Sequence, residues 1–221
     1  MTQRSLAQRI GYDALRWISR MIGVTFFNLR CEGRDNYPDT GGGLVCSNHQ
    51  STLDPVLVGL TCRRRMNYLA RQTLFKQRGF RHLIEFLDAI PIDREGFGLA
   101  GIKETLKRLR RNELVLIFPE GTRTPDGEVQ PLKPGIVSLA RRGRVPLIPV
   151  GIDGAYDAWP RDARFPWPAR IRVVVGQPIS TEQIDQLDDD RLLAELHHRI
   201  QSCQQQAKQS RLSRYAARRA R

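Results

Sequence analysis

Leu114-Val115-Leu116-Ile117-Phe118 is a continuous apolar run stopped by Pro119. An apolar run of this length without polar alternation marks a strand buried on both faces, as in a sheet covered by helices. Upstream, Ile102, Leu106 and Leu109 recur at helical spacing within residues 98–111. Downstream, a polar loop at 120–131 leads to a helix at 135–142 and a second apolar strand at 147–151. Working outward, further strands are predicted at 29–32, 44–46, 66–70 and 171–175, with helices at 54–60 and 81–87. Strands alternating with helices predict a single α/β domain, a mixed sheet flanked by helices. A C-terminal helix is expected to start near Thr181 and continue through Leu192, Leu196 and Ile200. From residue 207 onward the chain carries no acid, so 207–221 reads as a frayed basic tail. The expected organisation is a helix at 1–28, a catalytic domain at 29–206 and that tail.

The chain has 221 residues, 40% of them hydrophobic and 27% charged, the composition of a folded protein rather than a disordered one. Its net charge of +13 calls for an anionic partner: nucleic acid, an acidic membrane surface or phosphorylated substrates. Arginine supplies most of that charge, and its planar fork suits phosphate oxygens. Nucleic-acid binding would want aromatic residues interleaved with basic ones. Aromatics are few here and cluster in the first helix and at 159–167, so no nucleic acid is expected. Cys31, Cys46, Cys62 and Cys203 stand singly, which argues against a disulfide framework and a structural zinc site. Free thiols in a reducing compartment are the reading.

Residues 6–29 are rich in apolar side chains, interrupted by Arg9, Asp13, Arg16 and Arg20 at spacings that place the charges on one helical stripe. A bilayer span wants roughly 18 or more apolar residues in a row. No small-residue cleavage site follows either. An interfacial helix is expected, with arginines toward headgroups and Trp17 and the apolar face dipping inward. The same pattern also suits an amphipathic helix packed against a core.

Ser47-Asn48-His49-Gln50-Ser51-Thr52-Leu53-Asp54 follows a hydrophobic strand directly, where α/β folds expose ligand sites. His49 can take a hydroxyl proton near neutral pH, and works better when a carboxylate fixes its tautomer. Asp54 reaches back to it if the chain enters a helix between them; alone, it could equally cap that helix. Ser51 lies close, but no Gly-x-Ser-x-Gly surrounds it, which favours direct attack by a substrate hydroxyl over an acyl-enzyme. Two further segments, Ala89-Ile90-Pro91-Ile92-Asp93-Arg94 and Phe118-Pro119-Glu120-Gly121-Thr122-Arg123, each set an arginine just after a short strand. Fixed guanidinium groups, helped by loop N–H groups at Gly121 and Thr122, suit phosphate. Glu120 suits a hydroxyl or an arginine instead, and Lys76 is a further candidate cation. Each arginine taken singly could also be a surface ion pair.

Taken in order, the NHQSTLD segment, IPIDR, FPEGTR and VPLIPV resemble the four blocks of the glycerophospholipid acyltransferase family. The match is best to its 1-acylglycerol-3-phosphate (lysophosphatidic acid) acyltransferase branch, over about residues 31–175. The resemblance implies His49 as general base with Asp54 as its orienter, and Arg94 and Arg123 on the glycerol phosphate. It implies that Glu120 and Gly121 shape the acceptor site, and that 146–150 borders the acyl pocket or the sheet beneath it. The implied donor is acyl-coenzyme A or acyl-carrier protein, with no metal or other cofactor, and the product is phosphatidic acid. Acceptors such as a lyso-aminolipid fit the same chemistry. The implied place is the cytoplasmic face of a membrane, peripheral or monotopic, on an anionic surface. Where the family pairs two docking helices, this N-terminal region has room for one.

Overall fold

The computed structural model describes residues 5–72, 89–92 and 99–219. The helix expected at 81–87, and the candidate residues Lys76 and Arg94, lie outside the described residues. Within them seven strands form one sheet: β1 (Arg30–Glu32), β2 (Gly43–Ser47), β3 (Met66–Arg71), β4 (Ala89–Ile92), β5 (Leu114–Ile117), β6 (Leu147–Asp153) and β7 (Arg172–Val175). Their order is β1-β7-β6-β2-β5-β3-β4. Neighbours run parallel except β6 and β7, so the sheet is mixed, as expected. The helices are α1 (Leu6–Phe27), α2 (Asp54–Thr61), α3 (Leu99–Arg110), α4 (Gly135–Gly143), α5 (Ala155–Ala158), α6 (Thr181–Gln186) and α7 (Asp189–Arg219).

The apolar run in β5 is unbroken because the strand feeds two cores. Val115 and Ile117 pack with Leu106, Leu109, Ile136 and Leu196 under α3, α4 and α7. Leu114 and Leu116 point the other way, among Phe27, Leu57, Val58 and Ile152 under α1, α2 and α5. Strand β2 repeats the division, with Leu44 and Cys46 on the first face and Val45 on the second. Burying one such aliphatic side chain stabilises the fold by about 1.5–3 kcal/mol, which fixes β2 and β5 as the centre of the sheet.

Two expectations change at the C-terminal end. The helix expected from Thr181 is two helices. Ser180 caps α6 through a reciprocal capping box with Gln183, and α7 restarts where Asp188 accepts from Arg191 N–H at 2.8 Å. The tail expected at 207–221 is not a frayed appendage over its described residues, because α7 continues through Arg219. Ala207 is fully buried against Val174 and Cys203. Lys208 bonds Glu128 at 2.7 Å, and Arg211 bonds Asp153 and Asp157. The tail carries no acids, but the body supplies them. The boundary expected at 206/207 therefore has no structural counterpart.

Helix α1 packs one stripe against the core and leaves most of its apolar surface exposed. A narrow stripe (Tyr12, Gly23 and Phe27) is buried, and any Cβ at Gly23 would press on Leu29. Arg16 turns inward, whereas Arg20 is exposed. Its guanidinium donates to the Cys62 and Arg63 carbonyls just past α2, a position where cations complement the helix dipole. Away from this stripe Leu6, Ile10, Trp17, Ile18, Met21, Ile22, Val24 and Phe26 are exposed. Among the described residues no helix is long and apolar enough to cross a membrane.

Candidate active site

The site forms beyond the C-terminal ends of the central strands β2 and β5, where parallel sheets leave room for ligands. As the chain leaves β2, the buried Asn48 side chain clamps it to β6: Nδ2 donates to the Ile152 carbonyl at 2.9 Å, and Oδ1 accepts from Ile152 N–H at 2.7 Å. The next residue is His49. Its ring stacks on Phe118, with centroids 4.0 Å apart and planes 18° apart. Its backbone carbonyl accepts from Thr124 N–H at 2.8 Å. The strand ends thus hold both the ring and the main chain of this residue.

Asp54 opens α2 and is fully buried. One oxygen, Oδ2, accepts from Gln50 N–H at 2.6 Å, Ser51 N–H at 2.7 Å and His49 Nδ1 at 2.8 Å. The turn into α2 brings His49 and Asp54 together, and Asp54 holds the imidazole and gathers N–H groups of the preceding loop. It does not cap α2, whose N-cap position is Leu53 with no side-chain cap bond. A carboxylate can only accept, so Nδ1 carries the hydrogen and Nε2 keeps its lone pair for an incoming proton. The His49 side chain is 19% exposed, enough for substrate to reach it. Ser51 is fully buried and its Oγ donates to the Trp159 carbonyl at 2.9 Å. It is tied into the scaffold and is not placed as a nucleophile.

Glu120 departs from its expected role. Rather than face an acceptor or brace Arg123, it turns inward and is 4% exposed. Its Oε1 accepts from His49 N–H at 3.0 Å, which makes it a positioning residue for the histidine. Its Oε2 has no partner among the described residues. Burial is the main cause that pushes its pKa up to about 8, with Asp54 and Asp126 adding to it against the N–H groups of His49 and Gln130. The folded state therefore holds a proton that the unfolded chain releases near its ordinary value. The stability from that difference is whole below about 4.5 and is lost as pH rises through about 8. Glu120→Gln, neutral throughout, should gain on the wild type by up to a few kcal/mol between about pH 5 and about pH 9. Urea unfolding of both proteins at the two pH values measures this; a constant difference would show that the carboxyl is ionised throughout.

Of the other expected residues, Gly121, Thr122 and Arg123 lie in the loop after β5. Gly121 needs its positive φ of 73°, and its N–H donates to the Phe118 carbonyl at 3.0 Å, so this N–H closes a turn and does not serve a phosphate. Thr122 is exposed. Arg123 Nη1 donates to Thr52 Oγ1 at 2.8 Å, which sets the guanidinium on the rim beside the His49 loop. Sequence reasoning missed two participants. Gln50 ties the loop together, its Nε2 donating to the Gly127 carbonyl and its Oε1 accepting from Ala155 and Tyr156 N–H at the start of α5. Lys133 lies over Gly121, close enough that a Cβ there would come within 2.8 Å of Nζ. Its position before Pro134 and Gly135, at the start of α4, carried no signal beyond a single charge.

The signature of the family described as Acyltransferase matches residues 28–153, which span both β2 and β5. The "1-acyl-sn-glycerol-3-phosphate acyltransferase" of Bacillus subtilis is 28% identical over 173 residues, covering 78% of this chain and 81% of that protein. The protein of the same description from Pseudomonas aeruginosa is 29% identical over 84% of this chain and 70% of its own length. A solved structure of the 1-acyl-sn-glycerophosphate (LPA) acyltransferase from Thermotoga maritima superposes with a TM-score of 0.80 at 24% identity, over 94% of this chain and 84% of that one. At that identity the superposition establishes a shared fold.

Proposed function

The chain belongs to the acyltransferase family, and from that premise we propose that it moves a fatty acyl group from a thioester donor to the free hydroxyl of 1-acylglycerol 3-phosphate. The observation that carries the mechanism is the His49–Asp54 contact at 2.8 Å beside a buried, tied-down Ser51. His49 Nε2 accepts the acceptor's hydroxyl proton as the oxygen attacks the thioester carbon. Asp54 stabilises the imidazolium that forms. The C–S bond breaks as the tetrahedral intermediate collapses, and the thiolate leaving group, of coenzyme A or acyl-carrier protein, takes the proton from the imidazolium. Arg123 and Lys133, at the rim, supply positive charge for the acceptor phosphate. The similarity to proteins described as 1-acyl-sn-glycerol-3-phosphate acyltransferases supports this acceptor. The exposed apolar face of α1 suits contact with an anionic membrane surface, where such an acceptor resides.

Purified protein given acyl-coenzyme A or acyl-carrier protein and a panel of detergent-dispersed lysolipids, with products read by mass spectrometry, tests the proposal. Phosphatidic acid should form fastest. Faster turnover of a lysolipid lacking the glycerol phosphate would overturn the acceptor while keeping the chemistry. Arg123→Lys should raise the KM for the acceptor about tenfold despite the retained charge, because the bidentate fork is lost. The donor KM should change much less; an equal rise in both would place Arg123 on a coenzyme A phosphate instead.

A further inference from the structure

The segment at 159–170, between α5 and β7, reads Trp-Pro-Arg-Asp-Ala-Arg-Phe-Pro-Trp-Pro-Ala-Arg, and none of its residues takes part in the mechanism above. Phe165 is 67% exposed and Trp167 is 73% exposed, more than any other large apolar side chain described except Leu6 of α1. Isolated exposed apolar residues are ordinary, but two large aromatics on one loop tip are not. The loop is not slack. Trp167 N–H donates to the Ala158 carbonyl at 2.8 Å, Trp159 Nε1 donates to the Ala163 carbonyl at 2.9 Å, and prolines at 160, 166 and 168 restrict the backbone. The aromatics are held outward at a fixed place.

The loop's charge suits an anionic surface. The segment carries three arginines, Arg161, Arg164 and Arg170, and one acid, Asp162, and the Arg164 guanidinium sits 5.5 Å from the Phe165 ring. Aromatic rings flanked by arginines match the headgroup region of a bilayer, where ring and cation each find their own layer. The loop's two ends are tied to the two elements that such contact would serve. At one end the Trp159 carbonyl accepts from Ser51, in the His49 loop. At the other, Ile171 N–H donates to the Phe27 carbonyl at 2.9 Å, at the end of α1, and Ala169 packs into the core that holds Phe27. Val56, on the first turn of α2 just past Asp54, adds an exposed apolar side chain beside the site.

We propose that Phe165 and Trp167 form a second membrane anchor, which inserts into the same anionic bilayer as α1 and sets the mouth of the His49 site against the lipid. This rests on the reading of the acceptor as a bilayer lipid. One attachment, α1, leaves the body free to swing; a second, tied through Trp159 to the catalytic loop, fixes its orientation.

The test uses the full chain and the double variant Phe165→Ser/Trp167→Ser, whose fold is safe because both side chains are exposed. Three quantities are compared: co-sedimentation with phosphatidylcholine vesicles with and without phosphatidylglycerol, turnover of a detergent-dispersed lysolipid, and mass in solution by light scattering. The double variant should lose at least about tenfold in partition onto phosphatidylglycerol vesicles, with turnover in detergent and solution mass unchanged. Equal partition of variant and wild type overturns the anchor. A wild type that is a dimer without lipid and becomes a monomer on substitution overturns it too, by assigning the loop to a second copy. If no lysolipid is acylated by the wild type, the functional reading fails while the vesicle comparison still decides the anchor.

Discussion

Replacement of His49 by alanine should lower turnover by roughly 10²–10⁴-fold, the usual span for a lost general base, while the protein remains folded. The fold should survive because Asp54 keeps its two backbone donors, Gln50 and Ser51 N–H. The His49 backbone keeps its bonds to Glu120 and Thr124. Asp54→Asn should cost a similar factor for another reason. The amide oxygen has to take the place of Oδ2 to keep the Gln50 and Ser51 N–H donors, so Nδ1–H keeps its acceptor but the imidazolium loses the negative charge that stabilises it. Ser51→Ala separates this mechanism from an acyl-enzyme. If the hydroxyl only ties the loop to Trp159, its loss should change turnover by less than about tenfold, and the wild type should show no pre-steady-state burst of released thiol. Steady-state rates in mixed micelles, with circular dichroism to confirm folding, measure all three. Wild-type turnover in a folded His49→Ala protein would sink the mechanism, and a Ser51→Ala loss as deep as that of His49→Ala would move the chemistry onto the serine.

The pairing of His49 with Asp54 was legible because it is local: five residues and one turn into a helix determine it. The central strands were legible because burial on both faces leaves no polar position in 114–117. What escaped depended on partners distant in sequence. Glu120 reads as a ligand for an arginine or a hydroxyl until β2 is placed beside β5, when His49 N–H becomes its neighbour across 71 residues. Arg16 falls on a charged stripe in sequence, yet the end of α2 supplies carbonyls for it 46 and 47 residues on. The acid-free tail looks unpartnered only while Glu128, Asp153 and Asp157 are out of view. The four-residue α5 was not foreseen, being too short for any period to show. Charge patterns thus report where side chains sit on their own element, and not which carbonyl or carboxylate a second element brings.

Gly151→Ala should destabilise the protein by about 3 kcal/mol or more, at the severe end of single substitutions. Gly151 lies in β6, where α7 crosses the sheet so closely that a Cβ would strike the backbone at Cys203 and Gln204. A flexible side chain could turn aside, but a helix backbone cannot, so relief requires α7 to lift. That motion opens the core formed by Val174, Cys203 and Ala207. It also reaches the site, because Gln204 Nε2 and Gln50 Nε2 share the Gly127 carbonyl as acceptor, at 2.7 Å and 2.6 Å. Turnover should therefore fall along with stability, even though Gly151 touches no catalytic group. Gly41→Ala is the control. A Cβ there meets nothing within 4 Å, and only its positive φ of 79° opposes the change, a strain of about 1 kcal/mol. Urea midpoints for the two variants should then differ clearly, with the Gly41→Ala protein retaining activity. Equal midpoints would mean that α7 can shift along β6 without cost, and that its close approach is not what binds the C-terminal helix to the catalytic sheet.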